Sequence, residues 1–404
     1  MKSVGGILLA VLILLAMVTI HEFGHYVAGK LLGFKINEFS VGFGPAIFKK
    51  RSKKTGELFA LRAIPLGGYC AFDGEDEAEE EEEETPFEEI QTENAGEGGM
   101  VEPKPQKEEE YPEPKGERFN DQAPWKRIIV LIAGATMNYL LALLIIVSMF
   151  AFMGRPVYEV IKGEPTIDSS FEAAQTYKYG LRTGDRILEV DGRTIYLATD
   201  ISDSLNGKKK GDIVDILVLR DGERTVVELP LVEDANVKNM SDNSAIFFSL
   251  GIAYREVVDG EMKLTRGGAL QSKTIREGFF ETIGHSFVYS FKIGGMVLRS
   301  LGELLTGKLG IDTMGGPITT ITVTAEAASS GMLSFLNIAA FIGVNLAVFN
   351  LLPVPALDGC KVIFCIIEWI RKKPVNRKVE AMIHFGGIIV LFGFAILVDI
   401  LQLF

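Results

Sequence analysis

Apolar positions collect into four long stretches, at about 4 to 32, 128 to 152, 333 to 357 and 381 to 404. Each is close to or longer than the ~20 residues an α-helix needs to cross the hydrocarbon of a bilayer, so four transmembrane helices are predicted. Between the first two, Phe39 to Phe48 and Leu58 to Cys70 read as strands joined by a basic turn containing Thr55-Gly56. This pattern predicts a β-hairpin. Its arms carry Gly42, Gly44 and Pro45, and Pro65, Gly67 and Gly68, which suits backbone that re-enters a membrane where protein or a water-filled cavity shelters it. Residues 156 to 257 switch to short alternating runs with turn signals, notably Gly180 to Gly192 and Asp221-Gly222, and predict a small soluble β-rich domain. From 274 to 305, Phe279, Ile283, Phe287 and Phe291 recur every four residues beside Glu281, His285, Lys292 and Arg299. That mixture predicts an amphipathic helix at the membrane surface rather than a fifth span. The fold class is a mainly α-helical membrane protein with one hairpin and one β-rich domain.

Composition supports this class, since 48% of the 404 residues are hydrophobic. The formal charge of -12 is local: residues 73 to 117 hold 20 acidic residues against 3 basic ones, and the rest of the chain sums to +5. This insert includes six consecutive glutamates, Glu79 to Glu84, and later Pro103, Pro105, Pro112 and Pro114. It lacks the apolar residues needed to offset ordering entropy and is expected to be disordered. No basic stripe with interleaved aromatics exists apart from loops beside the spans, which argues against nucleic acid as a partner. Three cysteines, Cys70, Cys360 and Cys365, form no CxxC pair, so neither a disulfide framework nor a cysteine zinc site is expected. A cleaved signal peptide fits the first stretch poorly, because only Lys2 precedes it and no small-residue cleavage site follows.

Basic residues set the orientation. Lys49, Lys50, Arg51, Lys53 and Lys54 follow the first span, Lys126 and Arg127 precede the second, and Arg371, Lys372, Lys373, Arg377 and Lys378 separate the last two. By the positive-inside rule these segments are cytoplasmic, and both termini and the β-rich domain lie outside. The expected divisions are 1–72 for the first span and hairpin, 73–121 for the acidic insert and 122–155 for the second span. They continue with 156–257 for the β-rich domain, 258–332 for the amphipathic segment, 333–370 for the third span and 371–404 for the basic loop and fourth span.

The chemistry sits at the inner end of the first span, in His21-Glu22-Phe23-Gly24-His25. Residues four apart share a helix face, so His21 and His25 can both offer an imidazole to one Zn²⁺ while Glu22 reaches the attacking water. Only four histidines occur in the chain, and His285 and His384 read as a polar-face residue and an interfacial or packed one. A catalytic zinc needs a third protein ligand. The best acid is Asp358 in Asn350-Leu351-Leu352-Pro353-Val354-Pro355-Ala356-Leu357-Asp358-Gly359, which ends the third apolar stretch. A plain Asp-Gly turn is the simpler reading, but the two prolines free backbone groups at membrane depth, which is tolerated only beside protein or a polar cavity. The depths are compatible: seventeen residues from Val4 to His21 give about 25 Å of helix, and Asp358 shortly precedes the cytoplasmic Arg371 cluster.

With these residues assembled, the chain resembles the site-2 protease family of intramembrane zinc metalloproteases, and within it the bacterial regulator-of-sigma-E protease branch. The resemblance rests on HEFGH, on Val41-Gly42-Phe43-Gly44-Pro45 with Ile64-Pro65-Leu66-Gly67-Gly68-Tyr69, and on Ala133-Gly134 with Asn138. It rests also on the Gly180 to Gly192 stretch, on Gly315-Gly316-Pro317-Ile318 and on NLLPVPALDG. It implies a zinc held by His21, His25 and Asp358, Glu22 as general base, Asn350 and Pro353 near the substrate, and a PDZ-like domain at 156–257. It implies also a multi-pass protein of the bacterial inner membrane that cleaves single-pass membrane proteins after their ectodomains are trimmed, such as anti-sigma factors or signal-peptide remnants. Ala135 stands where the family usually has Pro, Cys360 replaces a common Gly, and a single PDZ-like domain is visible. The hairpin is expected to pair its edge with unwound substrate, with Leu61 and Ala63 on that edge. The alternative from another class is an ion or proton pathway lined by His21, Glu22, His25 and Asp358.

Overall fold

The computed structural model describes residues 4–75, 111–160, 181–182, 184–231, 234–235, 255–258, 261–264, 270–308, 310 and 315–402. The disorder expected of the acidic insert lies outside the described residues over 76–110, whereas its ends at 73–75 and 111–121 are placed, the second with a 3-10 turn at Phe119–Asp121. Among the described residues the helices, in chain order, are α1 (Val4–Leu32), α2 (Pro124–Met153), α3 (Ala198–Leu205), α4 (Phe279–Leu305), α5 (Pro317–Ser330), α6 (Met332–Asn350), α7 (Asp358–Arg371) and α8 (Arg377–Leu401). The strands are β1 (Ile36–Arg51), β2 (Leu58–Phe72), β3 (Arg155–Val160), β4 (Arg186–Val190), β5 (Arg193–Thr194), β6 (Ile213–Arg220), β7 (Glu223–Pro230), β8 (Arg255–Val258), β9 (Glu261–Leu264) and β10 (Leu270–Ile275). They form two compact units. The first comprises Met1–Ile145, Ile293–Arg299 and Gly310–Phe404, and the second Ile146–Lys292 and Ser300–Leu309.

Four helices, α1, α2, α6 and α8, are long and apolar enough to cross a membrane. The third apolar stretch differs from its expected end at 357, because α6 stops at Asn350. Pro353 and Pro355 have no N–H to continue the ladder, and residues 351–357 form an irregular link in which Ala356 takes φ +77°. A new helix then starts at Asp358. Helix α5 begins at Pro317 with Gly316 as its N-cap residue. Its open amides are met from α8, where Asp399 accepts from Ile318 N at 3.1 Å and from Thr319 N at 3.3 Å.

The hairpin is more folded than two arms. Ile36 to Val41 pairs antiparallel with Gly68 to Phe72 on one side; on the other, the partners Glu38 with Leu58 through Val41 with Leu61 rise together along the chain. Leu58 to Arg62 pairs in turn with Ala46 to Arg51. Each long strand is therefore bent into two, giving the ladder order 68–72, 36–41, 58–62, 46–51. The bends fall where Gly42, Gly44 and Gly67 adopt φ of +84°, +81° and +90°, a region open to glycine at no steric penalty. This corrects the expected location of the free edge. Leu61 is paired on both sides, with Val41 and Phe48, and Ala63 lies in the bend; the outer segments, 68–72 and 46–51, have no further strand beside them among the described residues.

The base of the ladder is anchored by Phe34, Phe72 and Phe119, whose rings meet at centroid distances of 5.4 to 5.6 Å. These join Ile36, Cys70, Val130, Leu131 and Cys365 in one buried cluster, which ties strand 68–72 to α2 and α7. Asp73 closes the base beside Asn37 and Lys35, at 3.0 and 3.2 Å. Burial works against its charge, but the Asn37 hydrogen bond and the Lys35 ammonium outweigh it and hold the carboxyl below its usual range. Where the acidic insert rejoins the fold, Lys35 N donates to Glu117 O and Phe119 N to Asp73 O.

In the second unit β10-β3-β4-β6-β7 form an antiparallel sheet, with β5 beside β4. Val160, Ile187, Val190, Ile195, Ile201, Leu205, Val214, Ile216 and Val218 form its core. Asp221-Gly222, both at positive φ, make the two-residue turn between β6 and β7. The β-rich part does not close at 257, since β10 pairs with β3 from Leu270–Val160 to Ile275–Arg155. Its sequence, LQSKTI, is too polar to announce a strand, and the amphipathic helix accordingly starts at Phe279 rather than 274. His285 lies on that helix with Nδ1 2.6 Å from Glu277 Oε2.

Candidate metal centre

Helix α1 carries His21 and His25 one turn apart, and both are more than nine-tenths buried. Their burial depends on the close approach of α2. A Cβ at Gly24 would collide with the Ala133 carbonyl, and one at Gly134 would collide with both imidazoles. The Ala-Gly pair thus marks a helix crossing in which backbone lies against the two imidazoles. His25 Nδ1 donates to Val130 O at 2.8 Å, which leaves its Nε2 with a free lone pair.

Asp358 arrives from the first turn of α7, where the helix dipole favours a carboxylate. Gly359 lets that turn lie on the backbone of Leu351 and Leu352, and Ala356 N donates to His384 Nδ1 at 3.1 Å, tying the link to α8. Asp358 Oδ2 stands 3.1 Å from His21 Nε2 and 3.4 Å from His25 Nε2, and the two nitrogens are 3.1 Å apart. Ligands of a tetrahedral Zn²⁺ at ~2.0–2.1 Å from the ion are about 3.3 Å from one another, so the triangle has the right size. Its chemistry fits as well. Asp358 Oδ2 is buried and, apart from the two imidazoles that face it, has no partner among the described residues, and such an atom suits a positive partner.

A cavity of about 470 Å³ opens beside this triangle, lined by Glu22, by Tyr69 to Phe72, by Val130 and Leu131 of α2, and by Asp358 and Lys361 of α7. Gly68 lies between Glu22 and strand 36–41: a Cβ there would stand 3.4 Å from Glu22 Cγ and would collide with the Ser40 carbonyl at 2.8 Å. The open strand edge 68–72 therefore runs along the cavity. Of the residues expected at the site, His21, Glu22, His25, Asp358 and Asn350 come together, Asn350 Nδ2 lying 3.4 Å from His21 Nδ1. Pro353 is exposed in the link, and neither it nor Leu61 nor Ala63 lines the cavity. Sequence reasoning missed the 68–72 edge, Lys361 and the contact of Asn138 with His21. A signal existed for the last, a lone amide in an apolar span.

The sequence matches the model of Peptidase family M50 over residues 9–394. It is 27% identical to zinc metalloprotease RasP of Bacillus licheniformis over 431 aligned residues, which cover 94% of each chain. It is 26% identical to regulator of sigma-W protease RasP of Bacillus subtilis, covering 95% of each. A match that starts inside the first span and ends inside the last settles the family, and this chain belongs to peptidase family M50, the zinc metalloproteases of site-2 type.

Proposed function

We propose that this protease cuts single-span membrane proteins within or near the bilayer, with His21, His25 and Asp358 holding the Zn²⁺. The observation that carries the proposal is the convergence of those three donor atoms within 4.8 Å, beside a cavity walled by Glu22 and an open strand edge. A Zn²⁺ held by these residues would supply Lewis acidity for the scissile carbonyl and for water. Glu22 takes the proton of the attacking water and passes it to the leaving amine. Asn350, on the same side as His21, has an amide able to donate to the carbonyl oxygen, and Pro353 keeps the link that follows it out of helical pairing.

The remaining obstacle is a substrate whose backbone is tied up in a helix. In this reading strand 68–72 accepts an unwound segment as a fifth member of the ladder and presents it, extended, to the metal. The hairpin enters the membrane from the cytoplasmic side, both termini lie outside, and the β-rich domain acts as a PDZ-like module outside the cell membrane that admits substrates whose ectodomains have been trimmed. Anti-sigma factors and signal-peptide remnants have that form.

The decisive experiment compares zinc content and cleavage of a single-span model substrate between the wild type and Glu22→Gln. Zinc should stay stoichiometric while turnover falls by about 10²-fold or more, the usual contribution of a general base. Near-wild-type turnover with zinc in place would remove Glu22 from the mechanism, and stoichiometric zinc in Asp358→Ala would remove the third ligand.

A further inference from the structure

We infer that Asn138 is the positioning residue that fixes His21 in the tautomer able to bind the metal, which leaves Asn350 free to serve the substrate. The inference rests on the ligand set proposed above. A neutral imidazole that offers Nε2 to a metal carries its proton on Nδ1, and that proton needs an acceptor. For His25 the acceptor is Val130 O. For His21 two amides compete, since Asn138 Nδ2 and Asn350 Nδ2 both lie 3.4 Å from Nδ1. One Nδ1–H makes one good hydrogen bond, so only one of the two amides can present its oxygen.

Burial decides between them. Asn138 is 1% exposed, and its Oδ1 is buried with no hydrogen-bond partner among the described residues, a costly state for an amide oxygen in an apolar span. A half-turn of the amide exchanges oxygen and nitrogen. It places Oδ1 on the His21 Nδ1–H, which sets the tautomer, and carries the amide N–H groups to the position that the oxygen leaves. Asn350 is only partly buried, ends α6 beside the irregular link, and has no comparable orphan among the described residues. Its N–H donors remain available to a ligand.

The placement has a simple origin in α2. Val130, Gly134 and Asn138 are spaced i, i+4, i+8 on one helix face. Val130 O meets His25, Gly134 makes room for both rings, and Asn138 meets His21. One stripe of one helix thus orients both histidine ligands, which accounts for the Ala133-Gly134 and Asn138 pattern that the catalytic chemistry alone leaves unexplained.

The test measures zinc affinity of the full chain in detergent micelles by competition with a chromogenic chelator, with thermal unfolding of the zinc-free protein as a control for folding. Asn138→Leu keeps the volume and removes the acceptor, and should weaken zinc about 10- to 100-fold, the usual effect of losing a partner behind a metal-bound histidine. Asn138→Asp keeps an acceptor and should retain affinity to within about threefold. Asn350→Leu should leave zinc affinity near the wild type. A purely packing role for Asn138 predicts the opposite order, with Leu tolerated and Asp harmful, and that order would overturn the inference. So would equal losses in Asn138→Leu and Asn350→Leu. If the leucine variant does not fold, Asn138→Ala, which only removes atoms, carries the same expectation. His21→Ala separates the two levels: if it binds zinc like the wild type, the ligand set itself is wrong, whereas loss in His21→Ala with none in Asn138→Leu defeats only the role of Asn138.

Discussion

Gly134→Ala is the smallest change expected to dismantle the proposed metal site without touching a proposed ligand. A methyl group there would lie 2.7 Å from His21 Cε1 and 2.7 Å from His25 Cε1, whereas non-bonded carbons settle at ~3.5–4.0 Å. The rings or α2 must therefore give way by roughly 0.8 Å. Metal ligands tolerate displacements of only ~0.2 Å. Both rings are hemmed in: His25 is held to Val130 O on the same helix, and each lies 3.1–3.4 Å from Asp358. Overpacking of this kind costs ~1–3 kcal/mol, which corresponds to roughly 5- to 150-fold in zinc affinity if the rings absorb it. Zinc affinity by chelator competition and thermal unfolding with and without zinc are the measurements, with Gly386→Ala as control, since a Cβ there meets nothing within 4 Å. The variant should lose zinc-dependent stabilisation while the control keeps it. Wild-type zinc affinity in Gly134→Ala, with a lowered melting temperature, would show that α2 moves instead, and would refute the view of its backbone as a rigid wall.

The strand edge can be tested by placing Pro in turn at Tyr69, Cys70 and Ala71, with Ala or Gly at each position as control. N–H groups alternate in direction along a strand, so positions facing Ile36 to Val41 should lose thermal stability. Positions facing the cavity should keep stability and zinc but lose cleavage by about 2- to 12-fold per missing hydrogen bond; uniform effects along the strand would defeat the pairing model. Replacing residues 77 to 109 by a short Gly/Ser linker should leave cleavage in detergent within about twofold, because an acidic, apolar-poor segment supplies no core and its stems are held at Lys35 and Asp73. A loss as large as that of Glu22→Gln would make the insert part of the working enzyme.

Legibility followed the range of the interaction that each feature needs. The approach of His21, Glu22 and His25 was readable because it spans a single helical turn. Asp358 was readable because two prolines and an Asp-Gly in an apolar span are hard to reconcile with a continuous helix. The four spans follow from length and hydropathy, and the end of α6 was displaced only because the apolar run continues through Leu351, Leu352 and Val354 after the helix has stopped. The hairpin was readable as two strands, but its edge was not. Alternation shows that 58–62 is extended, and it cannot show that the strand is flanked on both sides once Gly42 and Gly67 bend the ladder. Asn138 lies 117 residues from its partner His21, and nothing local to either position pairs them.

The interrupted third span has a physical reason beyond delivering an acid. Had α6 continued, Asp358 would stand two helical turns beyond Asn350 and nearly 12 Å along its axis, yet Asn350 and Asp358 both reach His21. The break folds that distance back. Pro353 and Pro355 remove the amides that would have carried the helix on, Ala356 adopts φ +77°, and Gly359 allows the new turn to lie on the carbonyls of Leu351 and Leu352. The link is then fixed from α8, where Gly387 lies against Pro355 and His384 Nδ1 accepts from Ala356 N at 3.1 Å. Each residue type in NLLPVPALDG thus answers one requirement of bringing a helix end and a helix start to the same imidazole. The carboxylate that results turns Oδ2 toward His21 Nε2 at 3.1 Å and His25 Nε2 at 3.4 Å, so the break gathers the three donor atoms that one cation would need.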